Sequence, residues 1–439
     1  MSDHAKVITC GCRYNRYESE EILSRIRGGS GGKLVVINSC SVTRASEAKS
    51  RKAVRRAIRE NRGASIVVAG CWAELKPEEV SSIKGVDLVL GNEEKFYVEN
   101  FLPGRGRERT GGVKDAEKFV ETNVGPIENR TAAYLKIQNG CGESCSFCVV
   151  RLVRGKSRSA PPEFVLRRVD SLINAGAKEI VLTGINVGAY GRDFCTKNTK
   201  KTKNTQYKQS EQNKRKPSLA RLLEKLILKK AVRFRLSSIN PLDVTDEILS
   251  IMADSPQTIC RHLHVPMQSG SDAILRKMDR PYSAAQYREK IEEIVQRLPG
   301  IGLGCDVMAG FPGETEDDFI RTERMLSDLP FSYAHVFTYS PREKTPAFEM
   351  KETLTHREKK GRVEKLKKIA AAKNLSYKKS LMGKTLEVLV ETRNSANCGS
   401  LTGKSDTFLQ VEFHGGRELE GQLTRVRITG VKDNGLMAV

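Results

Sequence analysis

The chain has 439 residues, eleven cysteines and a formal net charge of +22, a length that allows about three domains. No stretch approaches the roughly 18 apolar residues of a membrane helix, and Met1-Ser2-Asp3-His4-Ala5-Lys6 lacks a signal-type apolar core, so the cysteines read as thiols of a reducing, cytoplasmic compartment rather than as a disulfide framework. Charge of this size attracts polyanions, with nucleic acid the first candidate and a membrane surface the second, against the plain alternative of a merely basic soluble protein.

The first segment repeats one pattern three times. Lys6-Val7-Ile8-Thr9 runs into Cys10-Gly11-Cys12, Leu34–Ser39 into Cys40, and Ile66–Gly70 into Cys71. Each β-branched run reads as a buried strand. Helical patterns lie between them, over Glu18 to Arg27 and Arg44 to Asn61. Strands alternating with helices predict a parallel sheet, whose functional crevice lies beyond the carboxyl ends of its strands. That topology brings Cys12, Cys40 and Cys71 to one edge. A lone cysteine there is usually a small buried hydrophobe, but three at equivalent ends point to an iron–sulfur cluster. Cys10 competes with Cys12; it lies deeper in its strand, so Cys12 is preferred.

The Arg44–Asn61 helix is predicted to bury Ala45, Ala48, Val54, Ala57 and Ile58. Lys49, Arg51, Lys52, Arg55, Arg56 and Arg59 crowd its remaining surface, as a solvated face or as a grip on phosphates. Residues 100–130, with Pro103-Gly104 and Thr110-Gly111-Gly112, read as a linker.

Tyr134–Ile137 reads as a short strand feeding Cys141, Cys145 and Cys148, spaced C-x3-C-x2-C. Three thiolates at that spacing can hold three irons of a cubane cluster and leave the fourth open to a small molecule. Zinc is the weaker alternative: a structural zinc site wants four protein ligands, and no histidine follows at finger spacing. Strand patterns then recur at Glu179–Gly184, Phe234–Ser238, His262–Pro266, Gly304–Gly310 and His335–Tyr339, with helices at Pro162–Ala175, Leu219–Leu228 and Asp317–Leu326. An incomplete β/α barrel fits, with its site at the strands' C-terminal ends. Residues Cys195 to Pro217 lack hydrophobic spacing and read as a disordered insertion. His356–Lys379 reads as a basic helix. After Lys384 the pattern turns to short alternating strands with glycine-rich turns, a small β-barrel.

The cysteine motif resembles that of radical S-adenosylmethionine (SAM) enzymes, and nearly the whole chain resembles their methylthiotransferase family. Thr9–Asn15 is similar to the family's T-x-G-C-x-x-N, which favours Cys12 over Cys10. Asn38–Thr43 is similar to N-T-C-x-V-T and Val68–Ala73 to V-x-G-C-x-A. His264–Ser271 and Gly310–Thr315 resemble barrel motifs of the family, and the tail resembles its RNA-binding TRAM domain. Ala45–Asn61 and Gly85–Asn92 resemble the tRNA branch that modifies N6-threonylcarbamoyladenosine beside the anticodon. One departure is Lys344, where the family usually has glycine; it puts the shape of that loop in question.

The resemblance implies an α/β chain of three parts: residues 1–115 with an auxiliary cluster, a radical-SAM barrel over 130–375, and a TRAM-like barrel over 380–439. It implies two 4Fe-4S clusters, on Cys12, Cys40 and Cys71 and on Cys141, Cys145 and Cys148. One SAM methylates a sulfur of the auxiliary cluster. A second is cleaved to a 5'-deoxyadenosyl radical that activates carbon 2 of the adenine. Asn186, Ser238 and Gln268, at strand mouths, are candidates to hold SAM, against ordinary loop hydrogen bonding. The implied partners are a tRNA anticodon stem-loop, a protein or small-molecule reductant and a sulfur donor, with no membrane. The rivals are methylthiolation of a ribosomal-protein aspartate or of isopentenyladenosine in tRNA, and an RNA-binding iron–sulfur protein without catalysis.

Overall fold

The computed structural model describes residues 5–26, 33–101, 118–121, 131–195, 217–391 and 400–439. Most of the expected linker and of the polar insertion lie outside them. The chain divides into two compact units. The first joins Met1–Gly125 to Lys136–Pro161 and Ser340–Phe348; the second holds Pro126–Leu135, Pro162–Tyr339 and Glu349–Val439.

In the first unit, β1 (Ala5–Thr9), β2 (Leu34–Ser39), β3 (Ser65–Gly70) and β4 (Leu88–Leu90) form one sheet in chain order, every ladder parallel. The interior strand β2 is buried along its whole length, which is why its sequence is almost uninterruptedly apolar instead of alternating. Helices α1 (Arg13–Ile26) and α2 (Arg44–Glu60) connect the first three strands. α1 starts five residues before the expected Glu18. α2 opens with a capping box in which Thr43 and Ser46 satisfy each other's backbone N–H groups. Its buried stripe is Glu47, Ser50, Val54 and Ala57, whereas Ala45 and Ala48 are exposed. The expected apolar face is therefore displaced around the helix, because Glu47 turns inward to an arginine. Two short helices, α3 (Cys71–Leu75) and α4 (Pro77–Ser81), follow β3. A further one, α5 (Val150–Arg154), follows the C-x3-C-x2-C loop.

In the second unit, six strands form an incomplete barrel: β5 (Ala132–Lys136), β6 (Glu179–Thr183) and β7 (Arg233–Leu236) in one sheet, β8 (His262–His264), β9 (Gly302–Ala309) and β10 (Tyr333–Thr338) in another. β6 runs parallel to β7, and β9 parallel to both β8 and β10. An isolated parallel bridge, Phe234 to Ile259, spans the break. The helices include α6 (Pro162–Asn174), α7 (Leu219–Leu226), α8 (Asp246–Asp254), α9 (Asp272–Lys277), α10 (Ala284–Arg297) and α11 (Glu316–Asp328). The long α12 (His356–Ser380) leads to a closed barrel of β11 (Thr385–Val390), β12 (Ser400–Ser405), β13 (Gln410–His414), β14 (Leu423–Lys432) and β15 (Gly435–Ala438), ordered β11-β12-β13-β15-β14.

One buried carboxylate joins the two barrels of this unit. Glu179, first residue of β6, accepts from Arg233 Nε (2.8 Å) and Arg235 Nε (2.8 Å). Arg233 also donates to the carbonyls of Glu387 and Lys404, and Arg235 to those of Ser405 and Asp406. Burial opposes the charge on Glu179, but the two guanidiniums overcome it and hold its pKa at about 2. Among the described residues, no helix is long and apolar enough to cross a membrane.

Candidate active site

The three strand-end cysteines of the first unit sit on turns that their neighbours fix. Asn15 Nδ2 donates to the carbonyls of Cys10 and Ser39, both at 2.9 Å, and so ties the end of β1 to the end of β2. Ser39 Oγ donates to Ala69 O (2.6 Å) and accepts from Trp72 N (3.2 Å), which ties β2 to β3 and α3. Ser50, on α2, accepts from Cys40 N (2.9 Å) and donates to Cys40 O (3.0 Å).

Two glycines permit the approach. Gly11, at φ +97°, would place a Cβ 2.6 Å from Cys40 Cβ and 2.7 Å from its sulfur. Gly70, at φ +92°, would place one 2.5 Å from Asn38 Oδ1. Each glycine directly precedes a candidate ligand, Cys12 or Cys71, and any side chain there would push the turn away.

Cys40 and Cys71 are each only 3 % exposed, whereas Cys12 is exposed. Burial pushes the Cys40 thiol up, and the negative charge available on Cys71, and less strongly on Cys12, adds to it. Cys10 is buried in an apolar cluster with Val35, Val54 and Trp72 that also takes in Cys40.

The second trio lies on a loop closed at its neck. Gln138-Asn139 pairs antiparallel with Arg158-Ser159, and Cys141 N donates to Gly155 O (3.1 Å). Gln138 Nε2 donates to Gly140 O (2.7 Å) and Ser157 Oγ (2.9 Å). Cys148 N donates to Cys145 O (3.0 Å), and Val150 N reaches Cys148 Sγ at 3.4 Å. All three cysteines are partly exposed.

The loop and the sheet edge meet at Cys71. Cys71, Leu75, Val149 and Val153 form one apolar cluster. Asn92 Nδ2 lies 3.7 Å from Cys71 Sγ and donates to Val153 O at 2.6 Å. Behind them is a buried ion network. Glu18 accepts from Lys95 Nζ (2.6 Å) and from Arg154 Nη1 (2.6 Å) and Nη2 (2.9 Å). Arg154 also donates to Asn15 Oδ1 (2.6 Å), and Lys95 to Asn92 Oδ1 (2.7 Å). Burial opposes the charge on Glu18, but Arg154 and Lys95 bring its pKa to about 2. Burial likewise opposes the Arg154 charge; Cys71 and Glu18 more than restore it, holding the guanidinium well above its usual value. Cationic groups beside Cys71 suit an anionic sulfur centre, so the residues present fit a thiolate-held cluster. Among the described residues no three His, Cys, Asp or Glu close on a single metal ion; a cubane spreads its thiolates over separate irons.

Of this network, Asn15 and Asn92 lie in stretches already singled out by sequence. Glu18 opens a predicted helix, but nothing in the sequence distinguishes its charge, or those of Lys95 and Arg154, from charges on solvated helix faces.

The three candidate SAM contacts lie in the second unit, just past the C-terminal ends of β6, β7 and β8. Asn186 is buried and donates to Asp243 Oδ2 (3.0 Å). Ser238 Oγ bonds His264 Nδ1 (2.8 Å), whose Nε2 is 3.2 Å from Asp306. Gln268 adopts φ +65° and pairs with β9, its N–H on Asp306 O (2.8 Å). A left-handed glutamine held by the sheet is local strain of the kind that marks functional positions.

Residues 135–326 match the model of the Radical SAM superfamily, and residues 4–91 that of Uncharacterized protein family UPF0004. The chain is 33 % identical to threonylcarbamoyladenosine tRNA methylthiotransferase MtaB of Bacillus subtilis, over 96 % of this chain and 92 % of that one. It is 32 % identical to the protein of the same name from Thermotoga maritima, over 99 % and 96 %. It is 30 % identical to tRNA-2-methylthio-N(6)-dimethylallyladenosine synthase of Protochlamydia amoebophila, over 98 % and 95 %. Its fold is similar to that of the radical S-adenosylmethionine methyltransferase TsrM from Kitasatospora setae, with a TM-score of 0.54 at 14 % identity over 79 % of this chain and 77 % of that one. Such a family implies a 4Fe-4S cluster, SAM and the transfer of methylthio groups, and with near-full-length identity at this level the chain belongs to the radical-SAM methylthiotransferases.

Proposed function

We propose that this enzyme adds a methylthio group to carbon 2 of N6-threonylcarbamoyladenosine next to the anticodon of tRNA. In this reading Cys141, Cys145 and Cys148 hold the radical-generating cluster. Cys12, Cys40 and Cys71 hold an auxiliary cluster that carries or donates sulfur. The observation that carries it is the packing of Cys71 against Val149 and Val153, one and five residues beyond Cys148. Two sulfur trios held that near each other suit a reaction that needs a radical and a sulfur at one carbon. The relatives named for threonylcarbamoyladenosine support the choice of nucleoside.

When bound, the two clusters and SAM supply the electron, the radical and the sulfur. The chain's own part is placement and exclusion of water. Asn15, Ser39 and Ser50 fix the turns that present Cys12, Cys40 and Cys71. The N–H of Val150 stabilises negative charge on Cys148. Asn186, Ser238 and Gln268 are proposed to orient the aminoacyl and ribose groups of SAM. Residues 1–115, 130–375 and 380–439 are the proposed auxiliary-cluster, radical-SAM and RNA-binding domains. Exposed Lys49, Lys52, Arg55, Arg56 and Arg59 of α2 are suited to tRNA phosphates, which position RNA without reading it. A reductant and a sulfur donor complete the cycle.

Nucleoside mass spectrometry of tRNA from cells with and without this protein tests the assignment. The 2-methylthio derivative of N6-threonylcarbamoyladenosine should disappear with the protein. Loss of the methylthio isopentenyl derivative instead would overturn the choice of nucleoside. Anaerobically reconstituted protein should hold about eight irons, and a value near four would remove the auxiliary cluster.

A further inference from the structure

The first unit contains a cavity of about 220 Å³ whose lining includes Arg44, Glu47, Arg51, Lys76, Arg342 and Glu343. Four of these side chains are cations and two are carboxylates. Glu47 is buried and already engaged by Arg342, Arg51 (3.3 Å) and Lys76 (3.8 Å). Lys76 also pairs with Glu343 at 2.8 Å. Arg44 is different. It is exposed at the first turn of α2, its backbone N–H is held by Ser340 Oγ (3.2 Å), and its guanidinium makes no ion pair among the described residues. Arg342, 5 % exposed, leaves its Nε without a hydrogen-bond partner. A buried guanidinium with a spare donor and a neighbouring one with no ion pair among the described residues make a site suited to an anion. Phe348, 39 % exposed, adds an open aromatic face beside them, a surface on which a base or planar group stacks.

The position is informative. Arg44 begins the helix that follows Cys40, and Lys76 caps the short helix that Cys71 begins. At 1.5 Å per residue, the cationic end of that second helix lies roughly 7 Å from the cysteine end. The nucleoside of the proposed reaction carries a carboxylate at the tip of the arm on the same ring as the reacting carbon, several ångströms from it.

We propose that this cavity binds the carboxylate of the threonylcarbamoyl arm, with Arg44 as the specificity-determining contact; the proposal rests on the assigned nucleoside. Arg51, Lys76 and Arg342 are held in place, and their charge balanced, by Glu47, Glu79 and Glu343. Arg44 supplies the guanidinium that closes on the carboxylate. An isopentenyl arm has no group to offer there, so the cavity would discriminate between the two tRNA substrates named for this chain's relatives.

The test is binding to cluster-reconstituted full-length protein of three anticodon stem-loops that differ only in the target base: N6-threonylcarbamoyladenosine, its methyl ester, and isopentenyladenosine. Wild type should bind the free carboxylate about tenfold or more tightly than the other two, the order expected of a charge-assisted contact. Arg44→Ala should abolish that preference and leave the ester's affinity within about twofold, the range of a single lost surface charge. Lys52→Ala, on exposed α2 surface outside the cavity, should weaken all three equally. The proposal is overturned if wild type does not prefer the carboxylate, or if Arg44→Ala weakens all three alike, which would make Arg44 a phosphate contact. Binding needs no turnover, so a missing preference beside an intact methylthio mark in cells rejects the cavity alone. A missing mark rejects the assigned reaction.

Discussion

Each unit is built over a buried glutamate gripped by two cations, yet the two networks do different work. Glu179 starts a strand, and the N-terminal end of barrel strands is where such a fold keeps its stability. Its arginines spend their remaining donors on backbone carbonyls of the terminal β-barrel, so every charge-bearing atom has a structural partner. Glu18 sits beneath cysteines. Its cations reach onward to side chains, Asn15 and Asn92, which touch the turns and the sulfur of the candidate site. The first network fastens one barrel to another. The second links a sheet edge to a loop, both of which carry cysteines.

The comparison breaks most decisively at Glu179. Glu179→Gln leaves Arg233 and Arg235 buried against a neutral partner, and breaking a buried pair in this way costs about 3–5 kcal/mol. Urea unfolding of the full chain should show that loss, with iron content unchanged in whatever remains folded. A cost under about 1 kcal/mol would mean that the carbonyls alone satisfy the two guanidiniums.

Glu18→Gln should cost somewhat less, roughly 2–4 kcal/mol, because Asn15 and Asn92 remain as partners for the cations. Its distinguishing effect is on the metal: iron per chain should fall towards half while SAM cleavage by the remaining cluster survives. Loss of iron from Glu179→Gln to the same degree would erase the distinction between the networks.

Acid should act on both at once. Each glutamate has a folded pKa near 2 against an ordinary 4.5. The folded state therefore binds fewer protons than the unfolded one between those values. The stability each supplies is present above about pH 4.5 and is lost as pH falls through 2, roughly 3 kcal/mol apiece. Glu21 runs the other way. Burial raises its pKa to about 7 despite Lys136 at 3.6 Å, so its burial penalty grows as pH rises from 4.5 to 7. Glu21→Gln should stabilise the protein at pH 8 and do nothing at pH 4, a difference visible in thermal melts.

The same contrast explains what was legible beforehand. Buried parallel strands announce themselves as β-branched runs, so β1, β2 and β3 and the cysteines at their ends could be read directly. The alternating tail gave the small barrel, and the C-x3-C-x2-C spacing gave the loop. Glu18, Lys95, Arg154, Glu179 and Arg233 could not be read, because an ion pair between residues 54 to 136 positions apart leaves no local period. The stripe on α2 was misplaced for the same reason: Glu47 counts as polar until Arg342, 295 residues away, is seen beside it. Of residues 100–130, read as a linker, 102–117 and 122–130 lie outside the described structure, as do residues 196–216 of the polar insertion.

The smallest predicted effect concerns Lys344, the residue standing where the family usually has glycine. Its φ is +66°, so the loop keeps a glycine's backbone and the lysine bears the strain. A left-handed lysine costs about 1–2 kcal/mol, and glycine's extra freedom when unfolded returns about 0.5–1 of it. Lys344 Nζ also reaches Leu75 O at 3.4 Å, a weak contact at the last residue of the helix that Cys71 begins. Lys344→Gly should therefore raise stability slightly, by up to about 1 kcal/mol, as a small rise in melting temperature. If it lowers stability instead, the contact with Leu75 outweighs the backbone strain, and Lys344 belongs with the residues that steady the Cys71 helix.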